Sequence, residues 1–273
     1  MAPVMNSPKQ QVAEFWETAP CGETYAIGPD TKARLEAQAS ARYKLEPYLK
    51  AFARFADGRG KDILEVGVGM GSDHLEWAKS MPRSLTGIDL TQRAVEMTRA
   101  RFGLYSREAD VRVADAEELP FPDDSFDLVY SWGVLHHSPD TERAVREVHR
   151  VLRPGGIAQV MVYHTWSVTG LLLWARYGLL RGSPFTRLAD IVSEHLESPG
   201  TKAYSVSQAH GLFTQFQAVK ITVQLSHSDL LLGSVGQRHQ GSLLRLAKYL
   251  WPRPVIRSLG CRLGLFLLVE GRK

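Results

Sequence analysis

Residues 64–71, LEVGVGMG, decide how the rest of the chain is read. The apolar run 62–67 predicts a buried strand, three glycines follow at two-residue spacing, and a helix is predicted over 72–80. Glycine permits a tight turn at positive φ and lets backbone approach a ligand with no Cβ in the way. The helix start near Ser72 and Asp73 presents N–H groups that have no partner inside the helix. Alone, this pattern fits a nicotinamide or flavin site, or a tight turn, equally well.

Working outward, short segments rich in Val, Ile and Leu recur at 84–89, 111–115, 126–132 and 156–164. Helical patterns at 91–102 and 140–152 separate most of them. Alternation of this length predicts a parallel sheet with helices on both faces. Upstream, 8–19 and 31–56 predict helices joined by the turn-rich APCGETYAIGPDT. Downstream, 165–215 breaks the rhythm with helices and the loop SPGTKAY, and late strands are predicted at 217–226 and 264–271. The expected fold class is α/β, a Rossmann-like seven-stranded, mostly parallel sheet with the last strand antiparallel. An N-terminal helical cap (1–60) precedes a core (61–273), in which 165–215 is inserted as an acceptor lid.

Asp89 ends the second strand, where a carboxylate accepts hydrogen bonds from ribose hydroxyls. A dinucleotide enzyme still fits at this point. The third strand discriminates: Asp115 at its end precedes an apolar turn at Leu119–Phe121, suited to an adenine amino group and ring. The fourth segment runs into His136 and His137.

The runs LEVGVGMG, TGIDL, ADAEELPFPDDSFDLVYSWGVLHHSPD and RVLRPGGIAQV, in that order over 61–163, resemble class I S-adenosylmethionine-dependent methyltransferases. The resemblance is nearest to the small-molecule branch containing the ubiquinone and menaquinone biosynthesis enzymes. It implies S-adenosyl-L-methionine as cofactor. Glu65 and the loop of Gly67, Gly69 and Gly71 would hold its methionine part, and Asp89 with Leu90 the ribose. Asp115 and Ala116 would meet the adenine, with Trp132 and Gly133 near the sulfonium. Val68 stands where the family often has Cys or another small residue, a mild departure because that contact is mainly backbone. The implied activity is methyl transfer to a small organic acceptor, O-methylation first. C- or N-methylation of a small or lipid-like molecule, or RNA methylation, stand behind it.

Methyl transfer needs an aligned nucleophile, and a base only where that nucleophile holds its proton. His136 and His137 lie just beyond a strand's C-terminal end and titrate near neutral pH, so they are candidate bases; alternatively they shape the loop. Tyr163 and His164 end the fifth strand at the same rim, Tyr163 as a catalytic and His164 as a substrate-binding candidate. In FWETAPCGETY, Phe15, Trp16 and Tyr25 either cover the site or pack an N-terminal helix. Lys202 and Tyr204, with Arg176 and Arg187, suit an acidic or phenolic acceptor, or plain solvation.

The net charge of +4 is uneven. Residues 164–273 hold thirteen Lys/Arg against five Asp/Glu, a balance of +8, and 1–163 a balance of −4. This leaves peripheral membrane contact open; nucleic acid is the less favoured partner, since no separate macromolecule-binding domain is evident. The C-terminal 242–269 mixes bulky apolar and basic residues, but Pro252 and Pro254 interrupt any long helix, so core packing is expected. Two cysteines, Cys21 and Cys261, lie far apart in no metal-ligand or redox spacing, so free thiols, no metal and a cytoplasmic location are expected. Neither a signal peptide nor a spanning helix is expected. A monomer and a homodimer both remain open.

Overall fold

The computed structural model describes residues 7–18, 20–232, 248–258 and 260–273. The chain begins with helices α1 (Pro8–Thr18), α2 (Thr31–Leu45) and α3 (Leu49–Ala53). Then follow β1 (Asp62–Val66), α4 (Ser72–Lys79), β2 (Ser84–Asp89), α5 (Gln92–Gly103), β3 (Asp110–Val113) and β4 (Phe126–Trp132). After α6 (Thr141–Val151) and β5 (Leu152–His164) come α7 (Val168–Tyr177), α8 (Leu188–His195), β6 (Ala203–Tyr204) and α9 (Val206–Leu212). β7 (Ala218–Gln224), α10 (Arg253–Ser258) and β8 (Phe266–Arg272) close the chain.

The sheet runs β3-β2-β1-β4-β5-β8-β7, with β6 paired to β5 off this path. Pairing is parallel from β3 through β5 and on to β6, while β8 is antiparallel to both β5 and β7. The expected seven strands are therefore eight. The addition is the two-residue β6, too short to leave a periodic signal. Strand order reverses between β1 and β4, and such a switch opens a crevice beyond the strands' C-terminal ends.

Helices on both faces explain the unbroken apolar runs. Ile63 and Leu64 of β1 are both fully buried, one on each side of the sheet. Ala144, Val145, Val148 and Val151 form the buried face of α6, whose start is capped by Asp140 accepting from Arg143 N–H at 2.9 Å. At the other end of the chain, Leu267 and Val269 of β8 are fully buried. The described C-terminal strand thus packs in the core; the basic-apolar residues 242–247 lie outside the described residues.

The single helix predicted over 31–56 is two. Pro47 lacks the N–H that a continuing helix needs and disfavours helical geometry at Glu46, where φ is −122°. The break lets the end of α2 turn toward α4. Among the described residues, no helix is long and apolar enough to cross a membrane.

Candidate cofactor and acceptor site

A cavity of about 570 Å³ lies beyond the C-terminal ends of β1, β2, β4 and β5, roofed by α1 and the turn after it. Its floor is the glycine loop. Gly67 has φ 84°, and a Cβ there would meet Val134 Cγ2 at 2.1 Å, so no other residue fits. Gly69 has φ 51°, and a Cβ there would meet nothing within 4 Å, so this face of the loop is open. Its N–H donates to Asp89 Oδ2 at 3.0 Å, while Thr91 N–H and Oγ1 donate to Oδ1 at 3.0 and 2.9 Å. These bonds fix the Asp89 rotamer at the cavity wall. Burial pushes its carboxyl above the usual range, and the Gly69 and Thr91 bonds oppose that rise.

Glu65 is buried one strand over, sharing a 2.9 Å hydrogen bond with His74 Nδ1. Burial, reinforced by the charge on Asp73, pushes Glu65 well above the ordinary carboxylate value, and burial pulls His74 down to about 3. Both groups are thereby driven toward neutrality. Asp73 goes the other way. Burial works to raise it, but Arg42 at 2.9 and 2.5 Å, Tyr130 at 2.8 Å and Tyr43 at 2.9 Å hold it below its usual value. Arg42 and Gln38 of α2 both line the cavity at this point.

At the β3 end, Asp115 and Ala116 line the cavity, as do Leu90, Trp132 and Gly133 near their own strands. Asp115 is engaged rather than free. Lys9 of α1 donates to it and, at 2.6 Å, to Glu117, and Glu117 N–H donates to Asp115 Oδ1 at 2.9 Å.

The far half of the cavity is apolar, formed by Trp132, Met161, Leu173, Leu196, Leu265 and Phe266. Tyr163 stacks on Phe266 at 5.9 Å, and Trp132 meets the same ring edge-on at 5.7 Å. Polar groups interrupt it: Glu46 lies 3.5 Å from His227 Nδ1 on the cavity wall, and a second cluster forms around Tyr163. Tyr163 Oη donates to Glu197 Oε2 at 2.7 Å, and His137 Nε2 lies 3.3 Å from the same oxygen. His137 Nδ1 is bonded to Ser198 Oγ at 2.8 Å and Thr201 Oγ1 at 3.1 Å. Trp16 covers His137 edge-on at 5.1 Å, and Tyr25 lines the roof.

Several expected site residues sit elsewhere. His136 is fully buried outside the cavity lining, its ring 4.0 Å from that of Tyr163 and 4.3 Å from that of His137. Burial, with the neighbouring His137 and Lys202, holds it well below the usual imidazole value, which disfavours the charged form. Gly71 ends the loop against Thr98, where a Cβ would meet Oγ1 at 2.8 Å, and serves close packing of α4 on α5. His164 is buried against Gly264 O at 3.0 Å. Lys202 donates to Ser138 O at 2.5 Å and Pro139 O at 2.9 Å, holding the loop after β4. Tyr204 packs on the main core, and Arg187 precedes α8. Of the acceptor-side basic residues only Arg176 reaches the cavity. Ligand atoms of His136, His137 and Glu197 lie within 4.8 Å of one another, a donor set of the kind divalent ions use. Two of the three are already engaged by Ser198, Thr201 and Tyr163.

Arg42 and Glu197 were invisible to the sequence reading. Arg42 lies outside every recognisable motif, and Glu197 stands one residue before the quoted SPGTKAY.

Residues 64–160 match the family model described as Methyltransferase domain. The chain is 42% identical over 101 residues to a 27-O-demethylrifamycin SV methyltransferase of Amycolatopsis mediterranei, covering 36% of each protein. It is 31% identical over 159 residues to an O-methyltransferase of Penicillium expansum, covering 56% of each. The chain thus matches between about a third and somewhat over half of these relatives' length. Among solved structures, geranyl diphosphate C-methyltransferase of Streptomyces coelicolor superposes with a TM-score of 0.64 at 15% identity, over 98% of this chain and 99% of that one. The fold is shared nearly end to end, and the stretch from β1 into β5 matches a methyltransferase domain.

Proposed function

We propose that the protein transfers a methyl group from S-adenosyl-L-methionine to a hydroxyl of a small, largely apolar acceptor. The observation that carries this reading is the polar cluster of Tyr163, Glu197 and His137, set in a largely apolar chamber next to the cofactor loop. The residues present fit the cofactor. Gly69 leaves an open cradle, Asp89 is held in one rotamer facing it, and Glu65 sits beneath. Asp89 would hold the ribose, Asp115 and Ala116 the adenine, and Glu65, the glycine loop, Trp132 and Gly133 the methionine side.

The cofactor, when bound, supplies an electrophilic methyl on a sulfonium that is already a good leaving group. What the chain must add is alignment, exclusion of water and a destination for the acceptor's proton. Alignment alone is worth roughly 7–11 kcal/mol. Phe15 and Trp16 of the roof, with Leu173 and Leu196 opposite, keep the chamber dry. His137 Nε2 takes the hydroxyl proton, and Glu197 stabilises the imidazolium that forms. Ser198 and Thr201 hold the ring through Nδ1. Tyr163 anchors Glu197. In this reading α1–α3 act as the cap and 165–215 as the acceptor lid. The similarity of the core to two O-methyltransferases supports oxygen as the atom methylated.

Incubation with methyl-labelled cofactor and a pool of apolar alcohols and phenols tests it. The label is expected in the organic extract as methyl ether. Label in added RNA, or on carbon or nitrogen only, contradicts the reading.

A further inference from the structure

Between Glu147 and Asp190 the sequence contains no acidic residue, yet it carries Arg176, Arg181 and Arg187. In the same stretch, large apolar side chains face solvent. Phe185 is 97% exposed, Leu180 78% and Trp166 57%, and Leu171 and Leu179 are exposed beside them. Scattered exposed apolar residues need no account, but five within twenty residues, interleaved with unopposed cations, form a surface that water does not favour. None of the three arginines pairs with a carboxylate among the described residues. Arg176 and Arg181 instead lie over the Tyr177 ring at 5.1 and 5.0 Å. The patch also coincides with an opening: Arg176 and Leu180 line the cavity rim, and Leu172 of the same helix faces inward.

We infer that segment 165–187 docks the protein on an anionic lipid surface, with the cavity mouth turned toward the bilayer. Apolar side chains enter the acyl boundary while arginines meet the headgroup phosphates, the pairing that interfacial helices use. Charge complementarity selects this occupant. Each arginine near an anionic surface raises partitioning about five-fold, whereas a second copy of the chain would bring the same three cations against them. An apolar acceptor then passes from the membrane into the chamber without crossing water. The docking surface stands apart from methyl transfer, and its test does not depend on turnover.

The test is flotation of the whole protein with vesicles of phosphatidylcholine alone and of phosphatidylcholine mixed with phosphatidylglycerol. The protein is expected to float with the mixed vesicles, at least ten-fold more than with the neutral ones, and to be released by high salt. Two double variants, Leu179→Ser with Phe185→Ser and Arg181→Glu with Arg187→Glu, are each expected to lose most of this binding. These side chains are exposed, so thermal melting of both variants is expected to match the parent. Three results overturn the inference: no flotation with either vesicle, full flotation of both variants, or a dimer in sedimentation velocity that the Leu179→Ser, Phe185→Ser variant dissociates.

Discussion

The Tyr163 hydroxyl donates to Glu197 at 2.7 Å, joining the end of β5 to the loop after α8 at the wall of the cavity. His137 reaches the same carboxylate oxygen from the loop after β4. Three segments far apart in sequence thus meet at one polar point, and two of them, β5 and the loop after β4, are fixed by the sheet.

If that point handles the acceptor's proton, Glu197→Gln keeps the shape and removes the charge that steadies a protonated His137. Turnover is expected to fall about 10²–10⁴-fold, with little change in KM or in S-adenosylhomocysteine affinity. Tyr163→Phe removes only the anchor and is expected to cost less than Glu197→Gln. Steady-state kinetics of both variants checks this. Unchanged kcat in Glu197→Gln contradicts the assignment.

Lys9 occupies the carboxylate expected to meet adenine. The pair is about a third exposed on both sides, so it contributes roughly 0–1 kcal/mol. Lys9→Met is expected to tighten S-adenosylhomocysteine binding by up to about five-fold, because Asp115 no longer exchanges one partner for another. Weaker binding in a calorimetric titration would show instead that Lys9 closes α1 over the bound nucleoside.

Gly67 and Gly60 both have positive φ, but only Gly67 is crowded, with Val134 where its Cβ would stand. Gly60→Ala meets open space and is expected to cost about 1 kcal/mol through backbone conformation alone. Gly67→Ala is expected to cost at least ~2–3 kcal/mol and to lower Tm by several degrees more than Gly60→Ala. Scanning calorimetry separates the two. Equal shifts contradict the packing argument.

Acid stability should rest on the opposite end of the sheet. Arg83, with Ser84 and Arg153, holds Asp62 far below the usual carboxylate value. Burial works to raise Asp127, but the Asp62 N–H and Arg153 hold it below its usual value. A carboxyl lowered in the folded state adds stability that is fully present above its unfolded value. That stability is lost as pH falls through the folded one. The difference in urea midpoint between the parent and Arg153→Ala is therefore expected to hold above about pH 5 and to shrink progressively below about pH 4. Arg153→Ala, which loses two ion pairs at 2.8 Å, is expected to start lower at neutral pH and to fall less between the two. A parallel decline contradicts the assignment.

Most of the sheet was legible because every strand but β6 carries its own signal. The 62–67 run and the glycines after it mark β1 and the turn, Asp89 marks the end of β2, and Asp115 lies in the turn just after β3. The cofactor side was legible for the same reason, being built from consecutive turns. The acceptor side was not. Glu197 and Ser198 belong to a loop whose position depends on how α7 and α8 fold back, which no local pattern encodes. His136 and His137 are adjacent and chemically identical in sequence. Only packing assigns one to the core and the other to the chamber. Lys202 looked like a free cation but spends its hydrogen bonds on two carbonyls, and Pro47 outweighed an otherwise continuous helical pattern.

The central claim is that Asp89, held by Gly69 and Thr91, grips the ribose of a sulfonium nucleoside beside an open glycine loop. Isothermal titration of the parent protein and Asp89→Ala with S-adenosylhomocysteine tests it most directly. Saturable one-to-one binding is expected in the parent, weakened at least ten-fold in the variant. No binding at millimolar ligand, or equal affinity in the two proteins, would contradict it.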